Sequence, residues 1–227
     1  APLVLDLPTD QPRRVGSGHA GGRERVRIPA RLASGLDALA REERGTRFMV
    51  LLSVFGLVLG RWAGSEDVVV GTPMAVRDQA ELENVVGLFL SLLPLRCDLT
   101  GDPTFRELVG RMRETTLASF AHREVPFEKL VEELQVERSA LRTPVFQVML
   151  NVVPPEPVVV EGWPGLQVRP VEVEAMPSKF DLTLYVRDRA GELELDLVYR
   201  RDLFGVERMR EFARQILLVL EQGVGEP

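Results

Sequence analysis

Prolines decide where this chain can build a sheet, because a proline carries no backbone N–H and removes one ladder bond from any strand it enters. The chain has 16 of them, unevenly placed. Pro154, Pro155, Pro157 and Pro164 punctuate a stretch ending near Pro170, so that stretch runs along a surface or an edge and not through the middle of a sheet. Pro2, Pro8 and Pro12, followed by Gly16, Gly18, Gly21 and Gly22, make residues 1–24 an extended segment with little capacity for helix or strand.

Regular structure is expected between these two stretches and after the second. Arg25 to Pro29 alternates charged and apolar residues as a short strand does, and Pro29 opens a helix with Leu32, Leu36 and Leu39 on one face, closed by Gly45. Thr46 is positioned to cap an apolar helix that ends at Gly64 and sits between other layers. DVVVGT, Asp67 to Thr72, is a β-branched run suited to a strand buried on both faces. Pro73 to Val85 reads as a long irregular loop, and Gly87 to Leu95 as a second buried strand. Asp102 followed by Pro103 reads as a helix start, and Phe105, Leu108, Val109 and Met112 continue at helical spacing toward His122. A shorter helix follows from Pro126 to Leu134, then a strand over Val145 to Val153. Phe180, Leu182, Leu184 and Val186 alternate with polar partners, as do Leu193, Leu195, Leu197 and Tyr199 beyond a turn at Asp188 to Gly191. This pair is the clearest hairpin in the chain. A last helix, about 206–222, puts Met209, Phe212, Ala213, Ile216 and Leu220 on one face and stops at Gly223.

Composition narrows the functional classes. With 227 residues, 45% apolar and 27% charged, the chain can bury a substantial core. Its formal net charge of −6 argues against general nucleic-acid binding. Cys97 is the only cysteine, which excludes an internal disulfide and fits a reducing cytoplasm; it reads as a small buried hydrophobe. The longest apolar run, Phe48 to Leu59, has 12 residues and is too short to cross a bilayer. Two histidines, His19 and His122, cannot form a multi-histidine metal site, and no metal is expected. His122 falls near a helix C-terminus, where the dipole favours an imidazolium, and is read as structural. Gly16, Gly18 and Gly21 match G-x-G-x-x-G but precede a strand and not a helix, so they are read as linker. Taken residue by residue, the sequence describes an α/β domain with a prominent irregular loop and no self-sufficient catalytic constellation.

Four ordered segments resemble the second half of condensation domains of nonribosomal peptide synthetases. FMVLLSVFGLVLGRWAGSEDVVVGTPMAVR (Phe48 to Arg77) is similar to the helix, strand and loop found there. VGLFLSLLPLR (Val86 to Arg96) resembles VGxFVNT with its trailing arginine, HREVPFE (His122 to Glu128) resembles HQDxPFE, and RSALRTPVFQV (Arg138 to Val148) resembles RDLSRNPLFQV. The likeness continues through KFDLTLYV (Lys179 to Val186) and the closing hairpin and helix. The HHxxxDG motif, whose second histidine is the usual active-site residue in the family, does not occur in the chain. Leu90, Ser91 and Leu92 stand where Val, Asn and Thr are usual.

The resemblance implies a chloramphenicol-acetyltransferase-like lobe, a mixed sheet with packed helices, that pairs with an N-terminal lobe to enclose a tunnel. Residues 1–24 would then be an interlobe segment, 25–227 the lobe, about 71–87 a floor loop and about 151–170 a latch. The family's activity is amide formation between aminoacyl or peptidyl thioesters. Its substrates ride on the phosphopantetheine of carrier proteins, and no cofactor is bound directly. The implied partners are the N-terminal lobe, donor and acceptor carrier proteins and a neighbouring adenylation domain, with neither nucleic acid nor membrane. Thr72, Met74, Gly87, Phe89 and Ser91 become candidates for the substrate channel. Arg96, His122, Pro126, Phe127, Glu128, Arg138, Arg142 and Pro144 become motif residues with structural roles. A non-catalytic relative that recruits carrier or tailoring proteins, and an epimerising or cyclising relative, are the alternatives that the resemblance leaves open.

Overall fold

A computed structural model describes residues 3–16, 20–77, 79–137, 139–153, 177–189 and 192–225. In chain order the elements are β1 (Gly21–Ile28), α1 (Ala30–Glu42), α2 (Arg47–Ala63), β2 (Asp67–Ala75), β3 (Leu90–Asp98), α3 (Phe105–Ala121), α4 (Phe127–Glu133), β4 (Val148–Val153), β5 (Leu182–Arg189), β6 (Glu192–Arg200) and α5 (Val206–Gly225), with a 3-10 turn at Ala80–Leu82 between β2 and β3. The strands form one mixed sheet in the order β1-β6-β5-β4-β2-β3. Pairs β1/β6, β5/β6 and β2/β3 are antiparallel, and β4 runs parallel to both β2 and β5. This is the mixed sheet with packed helices expected from the sequence.

One face of the sheet carries α1, α2, α3 and α5, and α4 packs against the other. Residues two apart on a strand share a face, so Val68 and Val70 of β2, Leu95 and Cys97 of β3 and the leucines of β5 and β6 join one apolar core with α1, α2, α3 and α5. The α2 helix is buried without interruption from Met49 to Gly56, including Ser53, whose hydroxyl donates to the Met49 carbonyl at 2.9 Å. It begins at Thr46 and ends at Gly64 in the left-handed conformation (φ 61°), the two boundaries expected from the sequence. A Cβ on Gly56 would lie 2.9 Å from the Cys97 sulfur, so glycine is what lets α2 sit down on β3. Burial pushes the Cys97 thiol up to about 12, which leaves it protonated and inert at neutral pH. Phe212 of α5 meets Phe55 and Trp62 edge-on, with ring centroids 6.2 and 5.0 Å apart.

Several boundaries differ from the sequence reading. The first strand starts at Gly21 and not Arg25, because Gly21 to Ile28 pairs without a break against Arg200 to Leu193. The second runs through Pro73 to Ala75, so the expected floor loop at 71–87 is irregular only from Val76 onward. Pro73 is tolerated because it lies beyond Gly71–Met149, the registered β2/β4 pair, where no neighbour requires its missing N–H. The following strand begins at Leu90 and not Gly87. The α3 helix is capped by Thr104 and not Asp102: Glu107 N–H donates to Thr104 Oγ1 at 3.3 Å while Thr104 N–H donates to Glu107 Oε2 at 2.8 Å. Gly223 lies inside α5, where a Cβ would strike the Phe105 ring at 2.6 Å. The proposed latch is described only over 151–153; His19 and the tip of the β5–β6 hairpin at 190–191 also lie outside the described residues.

Residues 3–16 form a strap fastened to the rest of the fold at several points. Leu5 and Leu7 are buried in the main core. Gln147 accepts from the Leu5 N–H at 2.6 Å and donates to the Leu3 carbonyl at 3.2 Å. Arg13 makes a two-pronged ion pair with buried Asp181, at 2.9 and 2.5 Å. Asp10 accepts from the Gly205 N–H and from Arg208, both at 2.7 Å. The Gly205 N–H, and then Arg208, hold the Asp10 carboxyl below its usual range. A lowered folded-state value means that this anchor is complete above the unfolded carboxylate value and is lost as pH falls through the folded one. The protection of amides in residues 3–16, relative to their intrinsic exchange at the same pH, is therefore expected to fall below about pH 4 before the core opens. Asp10→Asn should show the lower protection already at neutral pH; equal protection in the two proteins would remove the anchor.

Candidate functional site

The β2/β3 hairpin and the loop joining its strands gather the channel candidates. Met74 is registered opposite Ser91, and Thr72 opposite Leu93. Strand alternation puts Thr72, Met74 and Ser91 on the same face of the hairpin as Val68 and Val70, beyond the part that the helices cover. Thr72 is buried, whereas Met74 and Ser91 are partly accessible. Gly87 and Phe89 lie in the loop; a Cβ on Gly87 would approach the Phe89 ring at 3.1 Å. The Phe89 carbonyl accepts from the Val76 N–H at 3.0 Å and closes the neck of the loop. These five residues offer one accessible hydroxyl, a thioether and a phenyl ring, and none of them ionises. They can line a channel and orient a polar group by hydrogen bonding.

The loop and the start of β3 also hold exposed apolar residues. Val85, Val86, Leu88 and Leu90 all face solvent, with Leu88 at 89% exposure. Four such side chains within six residues form an apolar surface of the kind that marks an interaction site.

A second group of residues supports this hairpin from the opposite face of the sheet. A small apolar cluster there is centred on Val69, Val145 and Phe146 and packed by Leu92, Phe127 and Phe180. The Phe146 ring is stacked on Phe180 at 5.5 Å and tilted against Phe127 at 5.4 Å. It also occupies the space that a side chain on Gly71 would need. The backbone delivers Phe146 through a tight turn: its N–H donates to the Pro144 carbonyl at 2.8 Å across Val145, which has φ 67°. A β-branched residue in that region is strained, and the Thr143 hydroxyl, donating to the Phe146 carbonyl at 2.6 Å, helps to hold it.

The motif residues fall into place around this frame. Arg96 makes a forked ion pair with Asp67 across β2/β3, at 2.8 to 3.1 Å. His122 is the exposed C-cap of α3, its N–H donating to the Ser119 carbonyl at 3.1 Å. Pro126 is the N-cap of α4, Phe127 packs against the Phe146 cluster, and Glu128 is exposed in the first helical turn. Arg142 pairs with Asp6 of the strap at 2.6 Å. Arg138 lies outside the described residues. Hence the structure brings together the five channel candidates and separately brings Phe127 and Pro144 to Phe146, while His122 and Glu128 stand apart at the α3–α4 junction. Sequence reading misses Gln147 and the Arg13–Asp181 pair, whose partners lie more than 140 residues away. It also gives no role to Phe146, for which the consecutive Phe-Gln of RSALRTPVFQV is the available signal.

A chain of this fold, with this hairpin, matches the condensation-domain family model over residues 2–227, and it belongs to that family. It is 41% identical over 211 residues to a linear gramicidin synthase of Brevibacillus parabrevis, covering 91% of this chain and 3% of that protein. The crystal structure of the X-domain from teicoplanin biosynthesis superposes with a TM-score of 0.90 at 30% identity, covering 100% of this chain and 52% of that one. The same domain in complex with OxyB gives a TM-score of 0.88 at 30% identity, covering 100% of this chain and 50% of that one. The chain thus spans about half of those X-domain chains and a small fraction of the synthase.

Proposed function

We propose that this chain is the C-terminal lobe of an amide-forming condensation domain and is inactive without an N-terminal lobe carrying the catalytic histidine. The observation that carries the reading is the exposed apolar surface of Val85, Val86, Leu88 and Leu90, beside a full-length match that covers half of a related domain. In the two-lobed enzyme an amine on one phosphopantetheine arm attacks a thioester on another. The carbon–sulfur bond breaks as the carbon–nitrogen bond forms, and the amine proton passes to a base or to the departing thiolate. Acceleration comes chiefly from holding amine and carbonyl in contact within a channel that excludes water, and an imidazole of the other lobe orients or deprotonates the amine.

This lobe supplies wall and floor. Thr72, Met74 and Phe89 give a largely apolar lining, and the Ser91 hydroxyl is positioned to meet the acceptor amine or a water beside it. Loop 76–89 is the floor, and the segment at 151–170 the latch to the other lobe. The test is amide formation between loaded carrier proteins, assayed with this chain alone and together with the N-terminal lobe. Product is expected only with both, and turnover by the lone chain would overturn the reading. In the intact parent domain, Ser91→Ala is expected to raise the acceptor KM about fivefold, the value of one modest hydrogen bond. Unchanged acceptor kinetics would remove Ser91 from the channel.

A second reading, a non-catalytic domain that recruits a tailoring protein, is favoured by the likeness to an X-domain crystallised with OxyB. An HHxxxDG motif ahead of this region supports the catalytic reading, and a degenerate one supports recruitment.

A further inference from the structure

Loop 76–89 has an internal clamp that the channel reading does not use. Its described side chains are exposed or partly accessible, and none of them belongs to either buried apolar cluster. Core packing therefore does not fix its shape. Arg77, two residues beyond the end of β2, reaches across the loop instead. Its Nη1 donates to the carbonyls of Leu82 and Val85, the latter at 2.9 Å, and lies 3.5 Å from that of Glu83. The Leu82 carbonyl ends the 3-10 turn at Ala80–Leu82, where it also accepts from the Val85 N–H at 3.2 Å, and the Glu83 and Val85 carbonyls follow that turn. The guanidinium also lies over the Phe89 ring, 4.2 Å from its centroid, so one side chain joins both limbs of the loop. A planar fork can donate in its plane and stack by its face together; a lysine ammonium can donate but offers no plane to stack.

We propose that Arg77 is the positioning residue of the channel floor: by tying the carbonyls of Leu82 and Val85 to the ring of Phe89, it fixes the loop that stands beside Met74 and Ser91 and thereby aligns the acceptor amine. The inference rests on the reading of this loop as the floor of an amide-forming channel. Arg77 itself transfers no proton and touches no reacting atom.

The test compares the intact two-lobed parent domain with its Arg77→Ala and Arg77→Lys variants. Arg77→Ala is expected to lower kcat for the carrier-bound acceptor about tenfold, since misalignment by a fraction of an ångström has that order of cost, with the donor KM unchanged. Amides of residues 79–89 should exchange faster while the melting temperature stays within about 2 °C, as expected for a surface substitution. Added methylguanidinium should restore part of kcat in Arg77→Ala, and Arg77→Lys should recover less than half of it. Wild-type kcat in Arg77→Ala, or a loss of kcat without faster exchange in the loop, overturns the proposal. If the unsubstituted parent forms no amide, the channel reading falls and exchange alone decides: retained protection in Arg77→Ala overturns the clamp, and lost protection supports it.

Discussion

Phe146→Ala is expected to destabilise the protein by ~3–5 kcal/mol, measured as a shift in the urea midpoint at constant slope. The ring is 1% exposed and touches three separate parts of the fold: Phe127 of α4, Phe180 before β5, and the face of Gly71 in β2. Its removal leaves a void bounded partly by backbone, which cannot collapse as a flexible side chain can. Gly71→Ala is the reciprocal experiment, adding a methyl group where the ring already sits. If Phe146→Ala behaved like a surface substitution, the cluster could not be what holds β2 against β4. A combined Phe146→Ala, Gly71→Ala protein should be more stable than the sum of the two losses implies, because the added methyl group enters the space vacated by the ring.

Asp196→Ala is expected to cost a similar ~3–5 kcal/mol by a different route. Asp196 lies on the polar face of β6 with 1% exposure. Arg23 of the edge strand β1 grips it with two donors, one of them at 2.6 Å, and Arg187 of β5 stands 3.8 Å away. Removal of the carboxylate takes away the negative charge that two guanidinium groups share across three strands. Since the group is shielded from solvent ions, the loss should be nearly the same at low and high salt. The Arg210–Glu24 pair at 3.2 Å, whose arginine side chain is 58% exposed, provides the contrast: its disruption should cost little and depend on salt. A salt-sensitive loss in Asp196→Ala would mean that the site is wetter than its burial indicates.

Local signals make much of the fold legible. The β5–β6 hairpin is readable because apolar residues at every second position are buried on one face. The α2 helix is readable because Thr46 and Gly64 bracket a run that is almost wholly apolar. Where two local signals compete, the more conspicuous one misleads. Asp102 and Thr104 both suit an N-cap, and it is Glu107, three residues after Thr104, that completes the reciprocal pair. Pro73 reads as a strand terminator because its harmlessness depends on where β4 stops pairing, a tertiary fact. Motif resemblance picks out the channel candidates, but their grouping follows from register: Met74 meets Ser91 only because β2 and β3 pair as they do. Gln147, Asp181 and Asp196 are invisible as supports because a buried polar residue is defined by its partner, and these partners lie at the far end of the chain.

The pairing of β1 with β6 also governs the order in which the molecule can be completed during synthesis. Gly21 emerges well before its ladder partner Arg200, so the first strand has nothing to bond until every intervening element has left the ribosome. At ~5–20 residues per second this is a delay on the order of ten seconds or more. The hairpin of β2 and β3, whose strands are separated only by one loop, can close long before. The nascent chain can therefore hold its β2/β3 hairpin ready while the opposite edge of the sheet remains an open template.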